Sequence, residues 1–269
     1  MKSNNLNSST EYIVKLIEQN YSDFYIEMAK LKGCEYKKGN SYNWVRGNEG
    51  SWPTGIFDIR LQIDSINNTI NDMVTRMKAG LLPNTIMTGP SSIPDNYDRY
   101  FNEFGLIRKY EAAGMAMNIP NTKLEYLNDD NDLEICILED EELLFNWCKI
   151  VGIELFSKPD KKSIEDFCDL IRLTFSIDKF RCFVAKYKGR IIATSFLYLN
   201  KGIAGIYFVA TDKAYRNKGV GKLITLAPLI FAQERGYRIV ILQASPLGEV
   251  IYKKIGFKEY CRLGRYQLD

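Results

Sequence analysis

Apolar residues first recur at helical spacing between positions 10 and 31. Ile13, Leu16 and Ile17, then Phe24, Met28 and Leu31, fall three or four apart and mark one face of an α-helix. Segments 41–47 and 54–63 then read as strands. Residues 64–80 read as a helix opened by Asp64 or Ser65 and stopped by Gly80. A short strand running into a loop is expected over 84–92, a short helix over 95–105 and a strand over 115–119.

Polar, turn-forming residues dominate 120–132, which makes that segment the best domain boundary. Beyond it the pattern predicts a strand at 133–139 and a helix at 140–156 opened by acidic residues. A second helix follows at 163–175, with Ser163 and Asp166 compatible with a cap. Three strands come next, at 180–189, 190–200 and 202–211, the first two joined through Lys188–Gly189 as a tight hairpin. Val220, Leu223, Ile224, Ala227 and Phe231 mark the buried stripe of a helix ended by Gly236. Pro228 inside it should kink the helix, at a cost of about 3 kcal/mol if nothing compensates. Residues 238–245 are nearly all apolar, as in a strand covered on both faces. A short helix at 247–256 and one or two strands at 257–268 close the chain. Strands and helices mix throughout, which predicts an α/β or α+β class with a mixed sheet.

A faint internal repeat links the halves. Gly105 answers Gly256, Phe101 answers Tyr252, and Gly114 answers Gly264 after a one-residue gap. The expected organisation is therefore an N-terminal domain at 1–119, a linker at 120–132 and a second domain at 133–269.

Composition narrows the chemistry. The 269 residues include 46% apolar positions, enough for a sizeable core, and the net charge is only +3 with no clustered basic face. That balance argues against a nucleic-acid partner. No apolar run is long enough to span a bilayer, and residues 1–10 lack the core of a signal peptide, so no membrane and a cytoplasmic location are expected. Six scattered cysteines without a C-x-x-C pair read as free thiols. Histidine is absent altogether, which excludes Ser-His-Asp triads, Cys-His dyads and HExxH zinc sites, and no metal is expected.

The stretch YRNKGVGKLIT, 215–225, carries the strongest chemical signal. Two glycines stand at the start of an apolar helix with Arg216, Lys218 and Lys222 around them. Such a backbone nest at a helix N-terminus suits an anion. A P-loop does not fit, because Arg216 stands where its first glycine belongs and Leu223 where its hydroxyl belongs. A Rossmann fingerprint does not fit either, because its third glycine would be Ile224. The pattern Arg/Gln-x-x-Gly-x-Gly/Ala does fit, from Arg216 to Gly221.

In IYFVATDKAYRNKGVGKLI and RIVILQASPLGEVIYKKIGF the chain resembles the GNAT superfamily of acetyl-CoA-dependent N-acyltransferases. The resemblance covers roughly 133–269, and 1–119 looks like a second, degenerate copy. It implies an acyl-CoA N-acyltransferase fold, here in two tandem GNAT-like domains. It also implies acetyl-CoA as cosubstrate, gripped at its diphosphate by Arg216, Asn217, Lys218, Gly219, Val220, Gly221 and Lys222. The exposed backbone of Val209, Ala210 and Thr211 would pair with the pantetheine amides like an added strand, and an N–H there would polarise the thioester carbonyl. Tyr252 is the implied proton donor to the departing thiolate, since a phenol keeps its proton at neutral pH. Ser245 departs from the asparagine usual before that helix, although a hydroxyl can still cap it.

Tyr207, Asp212 and Glu154 stay open as groove-lining or water-holding groups, with no general base identified. The first half has no glycine nest, since RLQIDS precedes its helix, and Phe101 has no proton to give. It is expected neither to bind the coenzyme nor to catalyse, but to wall the acceptor site as a pseudo-dimer partner, with Trp44 and Trp52 either in that wall or ordinary core. The expected activity is acetyl transfer to a primary amine, small-molecule or peptide, by direct attack in a ternary complex. The alternatives are a non-catalytic acetyl-CoA sensor and a nucleotide-binding protein. A monomer with pseudo-dimeric halves and a homodimer both fit.

Overall fold

The computed structural model describes residues 9–48, 51–120, 122, 124, 131–156 and 159–269. The expected linker at 120–132 lies largely outside them. In chain order the strands are β1 (Glu35–Lys38), β2 (Asn43–Arg46), β3 (Gly55–Phe57), β4 (Ile86–Thr88), β5 (Leu106–Asn118), β6 (Leu133–Ile137), β7 (Phe180–Tyr187), β8 (Arg190–Asn200), β9 (Ile203–Thr211), β10 (Ile239–Ala244) and β11 (Lys258–Leu268). The helices are α1 (Thr10–Lys32), α2 (Ile66–Lys78), α3 (Tyr97–Glu103), α4 (Leu144–Leu155), α5 (Lys161–Arg172), α6 (Val220–Glu234) and α7 (Pro246–Ile255). All eleven strands form one mixed sheet, ordered β1-β2-β3-β4-β11-β5-β10-β9-β8-β7-β6.

The sheet has a pseudo-two-fold centre. Strand β3 runs parallel to β4, as β9 does to β10. The last strand of each half crosses over: β5 pairs with β10, β11 pairs with β4, and β5 and β11 pair with each other between them. Gly114 stands opposite Gln243 on β10, and Gly264 stands opposite Thr88 on β4, so the two glycines of the sequence repeat occupy matching places. Gly105 and Gly256 both take positive φ, +77° and +120°, just after α3 and α7.

Side chains alternate along β10. Val240, Leu242 and Ala244 share a core with Ile224 and Leu229 of α6 and Tyr252 of α7. Ile239 and Ile241 face Ile13, Val14 and Ile17 of α1 instead. Helices α4 and α5 pack Trp147 and Phe167 on α1's side of the sheet, together with Phe24 and Tyr207. One face therefore carries α6 and α7, and the other carries α1, α4 and α5.

Several local expectations shift. The strand expected over 54–63 stops at Phe57, because Asp58 turns the chain with φ +54° and its carboxylate accepts from Ser22 Oγ (3.0 Å) and Asn43 Nδ2 (2.5 Å). Strand β1 was not anticipated; its four residues are all exposed and show no alternation to read. Strand β5 begins nine residues before the expected 115, since its polar first half is held by pairing with β11 rather than by burial. The cap of α5 is Asp160, which accepts from Ser163 N at 2.7 Å, and not Ser163. Pro228 removes the hydrogen bond to the Ile224 carbonyl, and the buried Ser195 Oγ of β8 donates to that carbonyl at 2.8 Å in its place.

Candidate active site

Strands β9 and β10 pair from Ile203/Ile239 to Ile206/Leu242 and then part. Strand β9 continues to Thr211 and β10 to Ala244. Among the described residues, the edge of β9 facing β10 beyond Ile206 has no neighbouring strand. On its other edge, the register with β8 jumps from Thr194↔Ala210 to Phe196↔Tyr207. Phe208 bulges there with φ +50°, its carbonyl accepting from Thr194 Oγ1 at 2.9 Å. Such a bulge bends and twists the strand and re-aims the residues after it. Ala210 is buried while Val209 and Thr211 are half-buried, so their side chains pack while the parted edge stays open.

The loop after β9 is shaped by two residues in left-handed conformation, Asn217 (φ +61°) and Gly219 (φ +81°). Helix α6 starts at Val220. Among the described residues, the amides of Asn217, Lys218, Gly219, Val220 and Gly221 have no hydrogen-bond partner. The Lys222 amide differs from the expectation, because it donates to the Gly219 carbonyl at 3.0 Å, closing the first turn of α6. A Cβ at Gly219 would meet nothing within 4 Å; at Gly221 it would lie 3.4 Å from Ile251 Cδ1 and 3.7 Å from Thr211 Oγ1. The loop's open side therefore lies at the mouth of the parted strands.

Charges around the loop divide unequally. Arg216 donates from Nε to the Thr211 carbonyl (3.1 Å) and from Nη2 to the Glu154 carboxylate of α4. It ties the loop to β9 and is less available to an anion than the sequence suggested. Lys218 lies over the Tyr215 ring. Neither Lys218 nor Lys222 has a carboxylate partner among the described residues.

The three groups left open for proton transfer are all engaged. Glu154 is taken by Arg216, its side chain only 8% exposed. Asp212 accepts from the Ala214 amide and from Arg190, each at 3.0 Å. Tyr207 is buried, stacks on Phe24 at 3.9 Å and donates to Asn20 Oδ1 at 2.7 Å.

Tyr252 projects from α7 into the core, with the Phe257 ring 6.0 Å away. Its hydroxyl has no hydrogen-bond partner among the described residues. Burial pushes the phenol well above its usual pKa, and the Tyr110 hydroxyl adds to the shift. Ser245 caps α7 by accepting from the Gly248 amide at 3.2 Å.

On the α1 face a cavity of about 170 Å³ opens between the halves. Glu18 of α1, Arg60, Ser91 and Tyr110 of β5 from the first half meet Gln243 of β10 and Arg265 of β11 around it. Trp44 and Trp52 are not in its wall. Trp52 packs instead among Phe24, Tyr25, Phe167 and Phe208, and Trp44 joins the core under α2. Glu18 Oε1 accepts from the Ser91 amide at 3.0 Å. Burial raises the Glu18 carboxyl above the ordinary value, and the Ser91 hydroxyl and amide together offset only part of the shift. Sequence reasoning missed Glu18, which looks like any polar position on an amphipathic helix. Gln243 carried a signal, as a polar residue interrupting an apolar strand.

Among the described residues, no helix is long and apolar enough to cross a membrane, and no three His, Cys, Asp or Glu side chains gather as metal ligands. Residues 178–259 match the family model described as an acetyltransferase (GNAT) domain. A glucosamine 6-phosphate N-acetyltransferase from Trypanosoma brucei brucei is 26% identical over 151 residues, covering 53% of this chain and all of that one. A GCN5-related N-acetyltransferase from Kribbella flavida superposes with a TM-score of 0.65 at 13% identity, covering 90% of this chain and 93% of its own. A tandem GNAT protein from the clavulanic acid pathway gives 0.59 at 11% identity, covering 84% and 77%. The fold shared with both structures spans the two halves.

Proposed function

Since the chain belongs to the GNAT superfamily and is an acyltransferase, we propose that it transfers the acetyl group of acetyl-CoA to a primary amine by direct attack in a ternary complex. The observation that carries this reading is the run of five free amides, Asn217 to Gly221, beside the parted β9 and β10. A diphosphate accepts several short N–H bonds at once, and a helix N-terminus favours its charge. Lys218 and Lys222 add positive charge, while Arg216 holds the loop in shape. From that grip pantetheine would run along Val209, Ala210 and Thr211, its amides taking the place of the missing strand.

Acetyl-CoA supplies the activated acyl group; the chain's residues orient it and handle protons. An N–H of the bulged segment polarises the thioester carbonyl. Tyr252, kept protonated by burial, donates to the thiolate as it leaves.

The N-terminal half, 1–119, is proposed as a degenerate GNAT-like domain, joined through 120–132 to the catalytic domain at 133–269. Its own β3–β4 gap is bridged beyond the paired residues: Leu61 N donates to the Ile93 carbonyl and Ile93 N to the Ile59 carbonyl, each at 2.9 Å. This bridging supports the reading that it takes no coenzyme. Its contribution is a wall of the acceptor cavity.

Thiol release from acetyl-CoA against a panel of primary amines, glucosamine 6-phosphate among them, tests the activity. Amine-dependent release supports it. Calorimetric binding of acetyl-CoA with no release for any amine would indicate a sensor instead.

A further inference from the structure

Among the described residues, two buried side-chain atoms are without a hydrogen-bond partner, Glu18 Oε2 and Gln243 Nε2, and both residues line the cavity between the halves. One is an acceptor and the other a donor, and leaving either unmet inside a protein costs about 1–3 kcal/mol. Gln243 also faces the Tyr207 hydroxyl and interacts with it. Asp58, the cavity's other carboxylate, is already held by Ser22 and Asn43. Glu18 is thus the wall's carboxylate with an open oxygen.

The cavity meets the parted strands at Gln243, one residue beyond Leu242, where β9 and β10 stop pairing. An acyl group lying along β9 would end there. At about 170 Å³ the space is close to the ~150 Å³ that accommodates benzene, which suits a small molecule. Arg60 and Arg265, both exposed, stand in the same wall, and neither has an ion-pair partner among the described residues. The wall thus offers a buried carboxylate with two exposed guanidinium groups.

On the acetyl-transfer reading above, we propose that this cavity binds a small primary amine carrying an anionic group, with Glu18 as the base that deprotonates its ammonium and Arg60 and Arg265 holding the anion. The reaction then balances. Glu18 Oε2 takes one ammonium proton, and the freed lone pair forms the N–C bond to the acetyl carbon. The C–S electron pair leaves on sulfur, which takes the Tyr252 proton. The nitrogen's surplus proton restores Tyr252, and Glu18 passes its own to solvent with product release. The groups facing Glu18 are Asp58 at the end of β3, Tyr97 of α3, Tyr110 of β5, and Cys261 and Arg265 of β11. With Arg265 exposed and Asp58 opposing ionisation, burial sets the direction, raising the carboxyl above its ordinary value and so making it a stronger base than a surface carboxylate.

The test uses the full chain with acetyl-CoA and four probes: 2-aminoethyl phosphate against ethanolamine, and β-alanine against propylamine. The anionic member of at least one pair should exceed its partner at least tenfold in kcat/KM, and the pair that does so tells phosphate from carboxylate. Arg60→Gln and Arg265→Gln should bring that ratio toward one without changing acetyl-CoA affinity. Glu18→Gln should lower the rate about a hundredfold at pH 7 and much less near pH 10, where the amine is already neutral. Glu18→Asp should restore part of the loss, which a purely structural role would not produce. Equal rates within both pairs, no turnover of any probe by protein that binds acetyl-CoA, or a Glu18→Gln defect independent of pH would each overturn the proposal. If the wild-type chain fails to bind acetyl-CoA, the coenzyme reading itself falls and this inference with it.

Discussion

Replacing each glycine of the 216–221 loop by alanine separates backbone strain from ligand contact. Gly219 sits at φ +81°, and a methyl there meets no atom within 4 Å. The cost of Gly219→Ala is therefore backbone strain alone, about 1–2 kcal/mol for an L-residue held in the left-handed region. For a chain of this size that lowers the melting temperature by roughly 2–4 °C per kcal/mol. Gly221 has no positive φ and lies in the first turn of α6, where alanine is favoured by up to about 1 kcal/mol. Its methyl would make ordinary contacts with Ile251 and Thr211, so Gly221→Ala should melt at or above the wild-type temperature. That methyl nevertheless fills the space between the free amides and the end of β9. The same variant should bind acetyl-CoA at least tenfold more weakly, a loss of about 1.4 kcal/mol. Thermal melts without ligand, paired with calorimetric titration of acetyl-CoA, read both quantities. A Gly221→Ala chain with wild-type affinity would refute the placement of the diphosphate, and an undiminished melt for Gly219→Ala would refute the strain argument.

Tyr252→Phe should lower kcat about a hundredfold or more while acetyl-CoA affinity and melting temperature hold, because the hydroxyl has no hydrogen-bond partner among the described residues to lose; stopped thiol-release assays and calorimetry check both. Ser195→Ala leaves the Ile224 carbonyl buried beside Pro228 without a donor, and urea unfolding should report a loss of about 1–3 kcal/mol. Glu18 keeps its proton in the folded chain at pH values where the unfolded chain, near 4.5, has lost it. Its contribution to stability is thus present below that value and declines as pH rises through the folded one. Urea midpoints of Glu18→Gln should accordingly gain on wild type between pH 4 and pH 7; a constant difference would argue against a buried, raised carboxyl.

Periodicity located the main elements well wherever one face is apolar: α1, α2, α6 and β7 to β10 all lie close to their expected bounds. It failed where pairing rather than burial makes a strand, as in exposed β1 and the polar first half of β5. The loop from Arg216 to Gly221 was legible because its chemistry is local, two glycines and a helix start within six residues. The cavity was not, because Glu18 and Gln243 are 225 residues apart and meet only through the crossing of β5 and β11. Arg216 shows the same limit in reverse: its motif position was readable, but its tie to Glu154 depends on how α4 packs.

The crossing of β5 and β11 fixes the fate of any gene trimmed to its chemically equipped part. A product starting at 133 would leave β10 with a bare edge where β5 belongs, and a product ending at 119 would leave β4 without β11. Each piece would expose an unpaired, apolar strand to solvent, the kind of edge that recruits other chains. Mixed in one tube, the two fragments should reassemble, since each carries the strand its counterpart lacks.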